Sequence, residues 1–531
     1  MAPFDKIGVM ANGNGQLARR FHEATKHSPV SVRTNPHFLD WENEPARYKD
    51  YPEIDPIPLP MELPRAGLPA ARVVSAAPEQ TYADIEPSLK QIAYLLYHSG
   101  GITKKILYPH GELYFRAAAC AGALYPIEIY LVCGDLSGLK AGVYHFSPRD
   151  FALHPLRRGD YRAVLTQASA GEEAVSQAAA VIVLTAITWR SSWKYQTRSY
   201  RYHYWDSGTI LANGLAAAQA QGLQARVVMG FVDRKIDHLL GIDGESEKSI
   251  CLMPVGRTQR PHPEAPPAYP TLDLTSSPAS TDAVRYPLIE HIHADSQLNS
   301  PAEVASYRKI LVKAASRPEG VWLRPAESSA EEPDAPSLEW VIIHRGSTRQ
   351  FQREAVSLEA FSKALEGMTR GFHADWLPLQ PLFLNDLYLN VHAVEGVPPG
   401  AYVYHPDLGE LEELKRGDFR SDSAYLCLGQ ELGGDAGFTI FFLADLKTIF
   451  ERYGSRGYRL AQIEAGILGG KLYLMAYALG LGATGLTFFD DLTVNFFSPH
   501  ALGKDAIFVA ACGLPQRPHQ PRGRLVYLQP G

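Results

Sequence analysis

Residues 344–351 read HRGSTRQF and stand shortly before an expected helix. Two arginines and a serine on a turn before a helix can grip a phosphate: guanidinium forks bind its oxygens, and the hydroxyl adds a donor. The competing reading is an ordinary N-cap, with Ser347 or Thr348 capping and Arg345 and Arg349 in solvent. Residues 116–126 read RAAACAGALYP and run into a strand. Small side chains there let backbone amides approach a flat ring closely, although a tightly packed loop would need the same residues. GLGATG at 480–485 fits a dinucleotide fingerprint, but a helix precedes it and a strand follows, so a glycine turn closing the helix is the better reading. No GxSxG elbow and no P-loop GKS or GKT is present, and His22, Glu23 and His27 miss useful zinc spacing and read as surface residues. No metal site is expected.

A duplicated unit must position these segments. GVYHFSP at 142 is answered by GAYVYHP at 400, an offset of 258 residues. The offset persists. Arg158-Gly159-Asp160 matches Arg416-Gly417-Asp418, and Tyr195, Arg198, Tyr200 and Arg201 match Tyr453, Arg456, Tyr458 and Arg459. Gly208 matches Gly466, and Phe231 and Asp233 match Phe489 and Asp491. A period this long marks a duplicated domain rather than a solenoid. Each copy predicts an opening helix (88–98; 357–367), a strand (128–133; 386–394) and a hairpin. A continuous apolar strand (180–187; 437–445) and a long buried helix (205–220; 463–479) follow. Two strands close each copy: ARVVMGF and SICLMPVG, then TGLTFF and AIFVAACG. This is an α+β plan with a largely antiparallel sheet. The expected domains are a lead-in (1–80), module 1 (81–257), a linker region rich in proline, serine and acid (258–337) with a helix at 301–315, and module 2 (338–531).

Composition excludes little else. The 531 residues are 46% hydrophobic and 20% charged, with a formal net charge of -6. That is a globular mixture without the field that nucleic acid would require. Five scattered cysteines and no CxxC argue against a disulfide framework and fit a reducing cytoplasm. No signal peptide is read. The apolar stretch 464–489 contains Lys471 and several glycines, so it predicts a core helix running into a strand rather than a membrane span.

HRGSTRQF resembles the RRSxRxF start of nitroreductase-fold FMN enzymes, with Gly346 in place of a basic residue. RAAACAGALYPIEIYLV resembles the RxxPSAGALYPxExY segment of SagB/ThcOx-type dehydrogenases, the azoline oxidases of peptide natural-product pathways. Ala119 and Cys120 replace its Pro-Ser. The lead-in segments FHEATKHSP, LDWENEP and YKDYP are similar to that family's N-terminal region. The resemblance implies FMN, held by Arg345, Gly346, Ser347 and Arg349, by Arg116, Ala119, Cys120, Ala121 and Gly122, and by Gly485, Leu486 and Arg517. WKYQTRSYRYHYWDSG (193–208) is similar to the family's K-Y-G-x-R-x-Y-R segment, which makes Lys194 and Tyr195 the catalytic candidates, with Gln196 at the glycine. A lysine or tyrosine of lowered pKa could take a proton while flavin takes hydride, and Arg198 and Arg201 are neighbours in sequence that could lower it. The bland alternative is that these residues hold the entry to the helix, since most of them recur in copy two.

Enzymes of this family pair two subunits, with the arginine turn from one and the small-residue loop from the other. Here residues 374–384, at the offset from the loop, read ADWLPLQPLFL, and the first copy has YHSGGITKK (97–105) where its arginine turn is expected. Each copy keeps one half, so the resemblance implies an intramolecular pseudo-dimer with one complete flavin site. The function implied is an FMN-dependent dehydrogenase acting on a small-molecule or peptide-derived substrate. The rivals are an NAD(P)H-dependent nitro- or quinone reductase and a flavin-binding or scaffold protein without turnover.

Overall fold

The apolar runs of each copy pair into an antiparallel sheet, because short β-branched and aromatic segments joined by tight turns fold back on themselves. The computed structural model describes residues 12–77, 84–108, 111–308, 321–323, 335–377, 383–517 and 524–525. The first copy contains helices α1 (Gln16–Ala24), α2 (Ala70–Ser75), α3 (Leu89–Gly100), α4 (Thr188–Tyr195), α5 (Ser199–Ala220) and α6 (Asp233–Leu240). Its strands are β1 (Ile102–Tyr108), β2 (Gly111–Arg116), β3 (Ile127–Cys133), β4 (Gly142–Ser147), β5 (Ala152–Arg158), β6 (Ala178–Ile187) and β7 (Glu247–Arg257). The main sheet runs β5-β4-β3-β6-β7, and Ile57–Pro58 adds to the β5 edge. The second copy contains α7 (Leu338–His344), α8 (Leu358–Thr369), α9 (Leu446–Tyr453), α10 (Arg456–Ala478) and α11 (Asp490–Phe497). Its strands β8 (Asn385–Val391), β9 (Gly400–His405), β10 (Glu410–Arg416), β11 (Phe438–Ala444), β12 (Gly482–Leu486) and β13 (Asp505–Gly513) stand in the order β12-β13-β11-β8-β9-β10. The repeat extends to detail: β4 and β5 shift register at Val143/Tyr144, and β9 and β10 at Ala401/Tyr402.

Several expectations are corrected. ARVVMGF forms no strand; it makes only isolated bridges, Ala225 to Val255, Val227 to Ala374 of the second copy, and Val228 to Leu252. Of the helix expected at 301–315, Pro301–Tyr307 is helical and 309–315 lie outside the described residues. His22 is buried, with Nδ1 3.2 Å from the Tyr458 hydroxyl and Nε2 3.4 Å from Asp505. YHSGGITKK does not correspond to the arginine turn. It ends α3 and begins β1, within a β1–β2 hairpin that has no counterpart among the described residues of the second copy. The true counterpart follows α2 as HRGSTRQF follows α7. It begins at Ala76-Ala77 and reads AAPEQTY, still without arginine. The counterpart of Asp233 is Asp490 rather than Asp491, since these two residues open α6 and α11.

The copies pack through α5 and α10. Gly208 and Gly466 meet at the crossing: a side chain on Gly208 would begin 2.4 Å from the Gly466 backbone, and one on Gly466 2.7 Å from the Trp205 carbonyl. Two glycines thus permit backbone contact that any larger residue would block. Trp205 Nε1 donates across the crossing to Gln462 Oε1 (2.7 Å). Reciprocal ion clusters flank it. Arg456 and Arg459 of copy two reach Asp233 of copy one, both at 2.7 Å. Arg198 and Arg201 of copy one reach Asp490 of copy two at 2.9 and 2.7 Å. Burial alone would raise both carboxyls, but the paired arginines outweigh it and hold them below the usual carboxylate range. Every residue of α10 from Arg456 to Tyr477 is buried and leads by a turn into β12, as expected of 464–489. Among the described residues, no helix is long and apolar enough to cross a membrane.

Candidate functional site

Arg345 ends α7, and the chain then runs beside β12 and the end of β13: Thr348 N donates to the Ala483 carbonyl (3.0 Å), and Phe351 bridges to Pro515. The turn is not a helix N-terminus. Helix α8 is capped by Ser357, whose hydroxyl accepts from Ala360 N (3.2 Å), so neither Ser347 nor Thr348 serves as N-cap. An anion here would be met by side chains rather than by helix amides. The Ser347 hydroxyl lies 3.1 Å from the Tyr473 hydroxyl, which also accepts from Gly485 N (2.7 Å). Arg349 is exposed. Arg345 is buried over the Tyr473 ring, and its Nη2 donates to the Ala117 carbonyl (2.9 Å). It therefore ties the second-copy turn to the first-copy loop.

The sequence reading missed Lys104. This β1 lysine donates to the carbonyls of His344 (3.1 Å) and Arg345. Its ammonium lies 3.9 Å from where a side chain on Gly346 would begin. Burial first, then the charge of Arg345, pulls its pKa down to about 7. Only the adjacent lysines of ITKKILY hinted at it, in a hairpin without a counterpart among the described residues of the other copy.

The loop from Ala117 to Pro126 hangs on α5. Asp206 accepts from Ala121 N (2.9 Å) and from Cys120 Sγ (3.2 Å), while Thr209 donates to the Ala119 carbonyl (2.6 Å). Burial raises Asp206 to about 7; burial and then Asp206 push the Cys120 thiol well above its ordinary value. Cys120 is thus a strut of the loop, and Asp206, which nothing in the sequence singled out, anchors it. Gly122 has φ +65, and a side chain there would begin 2.7 Å from the Tyr195 hydroxyl and 3.4 Å from Lys194 Nζ. The loop therefore meets the Lys194–Tyr195 pair at its one left-handed glycine. Lys194 is exposed, with Nζ 5.5 Å from the centre of the Tyr195 ring. Tyr195 leans on Tyr202. Burial, then Tyr202, raises the Tyr195 hydroxyl well above its ordinary value, and the charge of Arg349 works the other way. Arg198 and Arg201 are spent on Asp490, so the expected lowering of a tyrosine base is corrected.

The remaining candidates separate. Arg116 is buried and donates to the carbonyls of Arg47 (2.8 Å) and Ile127 (3.3 Å). Leu486 is buried in β12 opposite Val509, Gly485 is exposed on the same strand, and Arg517 is exposed at the end of a described run.

At the symmetry-related junction, a small cavity of about 60 Å³ is lined by Ala76, Leu215, Gln219, Phe372 and Lys471. Leu215 and Gln219 stand at the offset from Tyr473 and Tyr477, and Ala76 stands where Arg345 does. Glu464, at the offset from Asp206, accepts from the buried Trp376 indole (3.2 Å) and from Asn385 N (2.9 Å).

The comparisons with known proteins follow the same division. The nitroreductase family model matches twice, at residues 80–257 and 342–523. A nitroreductase-like protein of Methanocaldococcus jannaschii, MJ1384, is 28% identical over 176 residues, 33% of this chain and 84% of that protein. The trifolitoxin-processing protein TfxB of Rhizobium leguminosarum bv. trifolii is 29% identical over 33% of this chain. The microcin B17-processing protein McbC of Escherichia coli is 29% identical over 24% of it, and the chain spans 49% of each of these two relatives. A crystal structure of a nitroreductase-like protein from Anabaena variabilis superposes with a TM-score of 0.74 at 26% identity, covering 94% of this chain and 99% of that one. The chain is a nitroreductase-like oxidoreductase and belongs to the nitroreductase family, whose domain it carries twice in tandem.

Proposed function

We propose that the chain is an FMN-dependent oxidoreductase of the SagB/ThcOx type, oxidising a small-molecule or peptide-derived substrate at one composite site. The observation that carries this reading is the meeting of segments from both copies: the second-copy 345–349 turn, and Lys104, the Ala121-Gly122 loop, Lys194 and Tyr195 from the first. The donor set fits the cofactor. Ser347, Arg349 and Lys104 would hold its phosphate, and the bare face at Gly122 would lie against its ring. When bound, flavin supplies a two-electron hydride acceptor. Tyr195, with its raised pKa, stays protonated and acts as a hydrogen-bond donor toward substrate. Lys194, beside Tyr195 at Gly122, is the residue this reading assigns as the base. The trifolitoxin- and microcin-processing relatives support a peptide-derived substrate.

Flavin extracted from the purified chain is counted against protein, with one FMN per chain expected; none, or two, overturns the composite site. An azoline-containing peptide should reduce the bound flavin anaerobically. Reduction by NAD(P)H alone would select the nitro- or quinone-reductase reading, and flavin that no donor reduces would select a binding role. Lys194→Ala should lower substrate oxidation roughly a hundredfold while FMN content stays unchanged. Loss of FMN in that variant would make the lysine structural.

A further inference from the structure

A cleft of about 400 Å³ opens at the N-terminal end of α4, the end away from Lys194 and Tyr195. Residues 276–286 of the linker region form part of its lining. Its charged walls are paired almost throughout. Lys49 meets Glu247 (2.6 Å), Arg190 meets Glu128, and Arg285 meets both Glu245 (2.7 Å) and Glu290 (2.6 Å). Asp243 accepts from the backbone of Ser246 (2.9 Å). Lys248 is the exception. It is 1% exposed, it lines the cleft, and among the described residues no hydrogen bond or ion pair engages its ammonium. Three more polar groups on the same walls have no partner among the described residues: Thr188 Oγ1, Trp189 Nε1 and Ser280 Oγ. An indole N–H can only donate, and a hydroxyl can donate.

A buried ammonium without a partner is costly unless something anionic joins it. We propose that this cleft binds a carboxylate-bearing ligand, its carboxylate paired with Lys248 and hydrogen-bonded by Trp189 and Thr188 beside the positive end of α4. One cation, neutral donors and the nearby acids Asp243, Glu245 and Glu290 suit a single negative charge and disfavour a phosphate dianion. The ligand is a free organic acid or the C-terminal carboxylate of a peptide. The proposal does not rest on the flavin reading: Lys248 and Thr188 stand at the end of α4 away from Gly122, while Trp189 packs in one cluster with Leu124 and Tyr195.

The test is calorimetry on the full chain with four probes: N-acetylglycine, an acetylated hexapeptide with a free C-terminus, and the amide of each. At least one acid should bind and its amide should not. Lys248→Met should weaken the acid roughly tenfold to a hundredfold, with FMN content unchanged and the melting temperature equal or higher, because a costly buried charge is removed. Trp189→Phe should weaken it less, and it serves as the second reading if Lys248→Met does not fold. Burial, opposed by Asp243, Glu290 and Asp237 and reinforced by Arg459, with the buried His203 and His293 also facing the group, holds Lys248 at about 8, so above that pH acid binding should take up a proton, visible as a heat that depends on the buffer. Binding of acetylglycine indicates a free acid, and binding of the peptide alone indicates a chain terminus. Neither acid binding, equal binding of acid and amide, or an unaltered acid affinity in Lys248→Met would overturn the assignment.

Discussion

After α7 the chain turns through Arg345, Gly346 and Ser347; after the equivalent α2 it continues with Ala76 and Ala77. Beside the first junction Tyr473 and Tyr477 face the turn. Beside the second their counterparts are Leu215 and Gln219. The loops differ likewise: Asp206 holds Ala121 and Cys120 open next to Gly122, whereas Glu464 holds Trp376, among the largest fully buried side chains of the molecule. The scaffold elements repeat, and the chemistry does not. Helix pairing and sheet order therefore constrain the backbone without requiring both junctions to keep ligand-binding residues.

The largest effect concerns what the copies still share. Asp233→Ala or Asp490→Ala leaves two buried arginines uncompensated and should cost about 3–5 kcal/mol each, read by denaturant unfolding. Similar losses at both would show that the scaffold has stayed symmetric; a loss at only one would break the comparison. Both carboxyl pKa values are depressed in the fold, so their contribution is complete above the unfolded value near 4 and is lost as pH falls through the folded ones.

Next comes the live junction. Arg345→Ala with Arg349→Ala should weaken FMN by about ten- to a hundredfold, read by fluorescence titration. Arg345 also braces the loop through Ala117, so Arg349→Ala alone isolates the exposed contact. If the double variant binds FMN unchanged, the two junctions do not differ in the way proposed.

Lys104 sharpens the contrast through pH. Its free-state pKa is about 7, and a phosphate would favour the charged form, so FMN affinity should fall as pH rises above 7. The same titration in Lys104→Met should show roughly tenfold weaker binding and no such slope. A slope that survives the substitution would point to another group.

The smallest effect tests a residue that differs between the copies at the same place. Gln196 follows α4 with φ 49 and ψ -139, and Gly454 follows α9 with φ 59 and ψ -154. That region strongly favours glycine, so Gln196→Gly should stabilise the chain by about 1 kcal/mol, read as a higher unfolding midpoint. A destabilised variant would mean that the bond from Asn35 to the Gln196 side chain (2.9 Å) outweighs the strain.

Much of this was legible in advance. The 258-residue offset exposed the duplication because hairpin and helix-entry residues such as Tyr144, Arg158 and Arg198 are fixed by backbone and ion-pair geometry, which tolerates little change. Gly208 and Gly466 were visible as a match, and their contact explains it. The chemistry was less legible. The β1–β2 hairpin broke the offset just ahead of the small-residue loop, so the first-copy counterpart of the arginine turn was sought some twenty residues too late in the chain. Lys104 was hidden by that same insertion. Asp206 sits on an otherwise apolar helix where only its contact with Ala121 gives it meaning. The pKa of Tyr195 depends on burial and on Tyr202, which no spacing in the chain reveals.

The α5–α10 contact joins halves that are already tethered. Linking two binding surfaces in one chain replaces a concentration-dependent encounter with an effective concentration that can reach the millimolar range. A site assembled between separate subunits weakens when the protein is diluted below its dissociation constant. Here Arg345 and Ala117 stay in register at any dilution, and the proposed composite site would persist at copy numbers far too low to sustain an ordinary dimer.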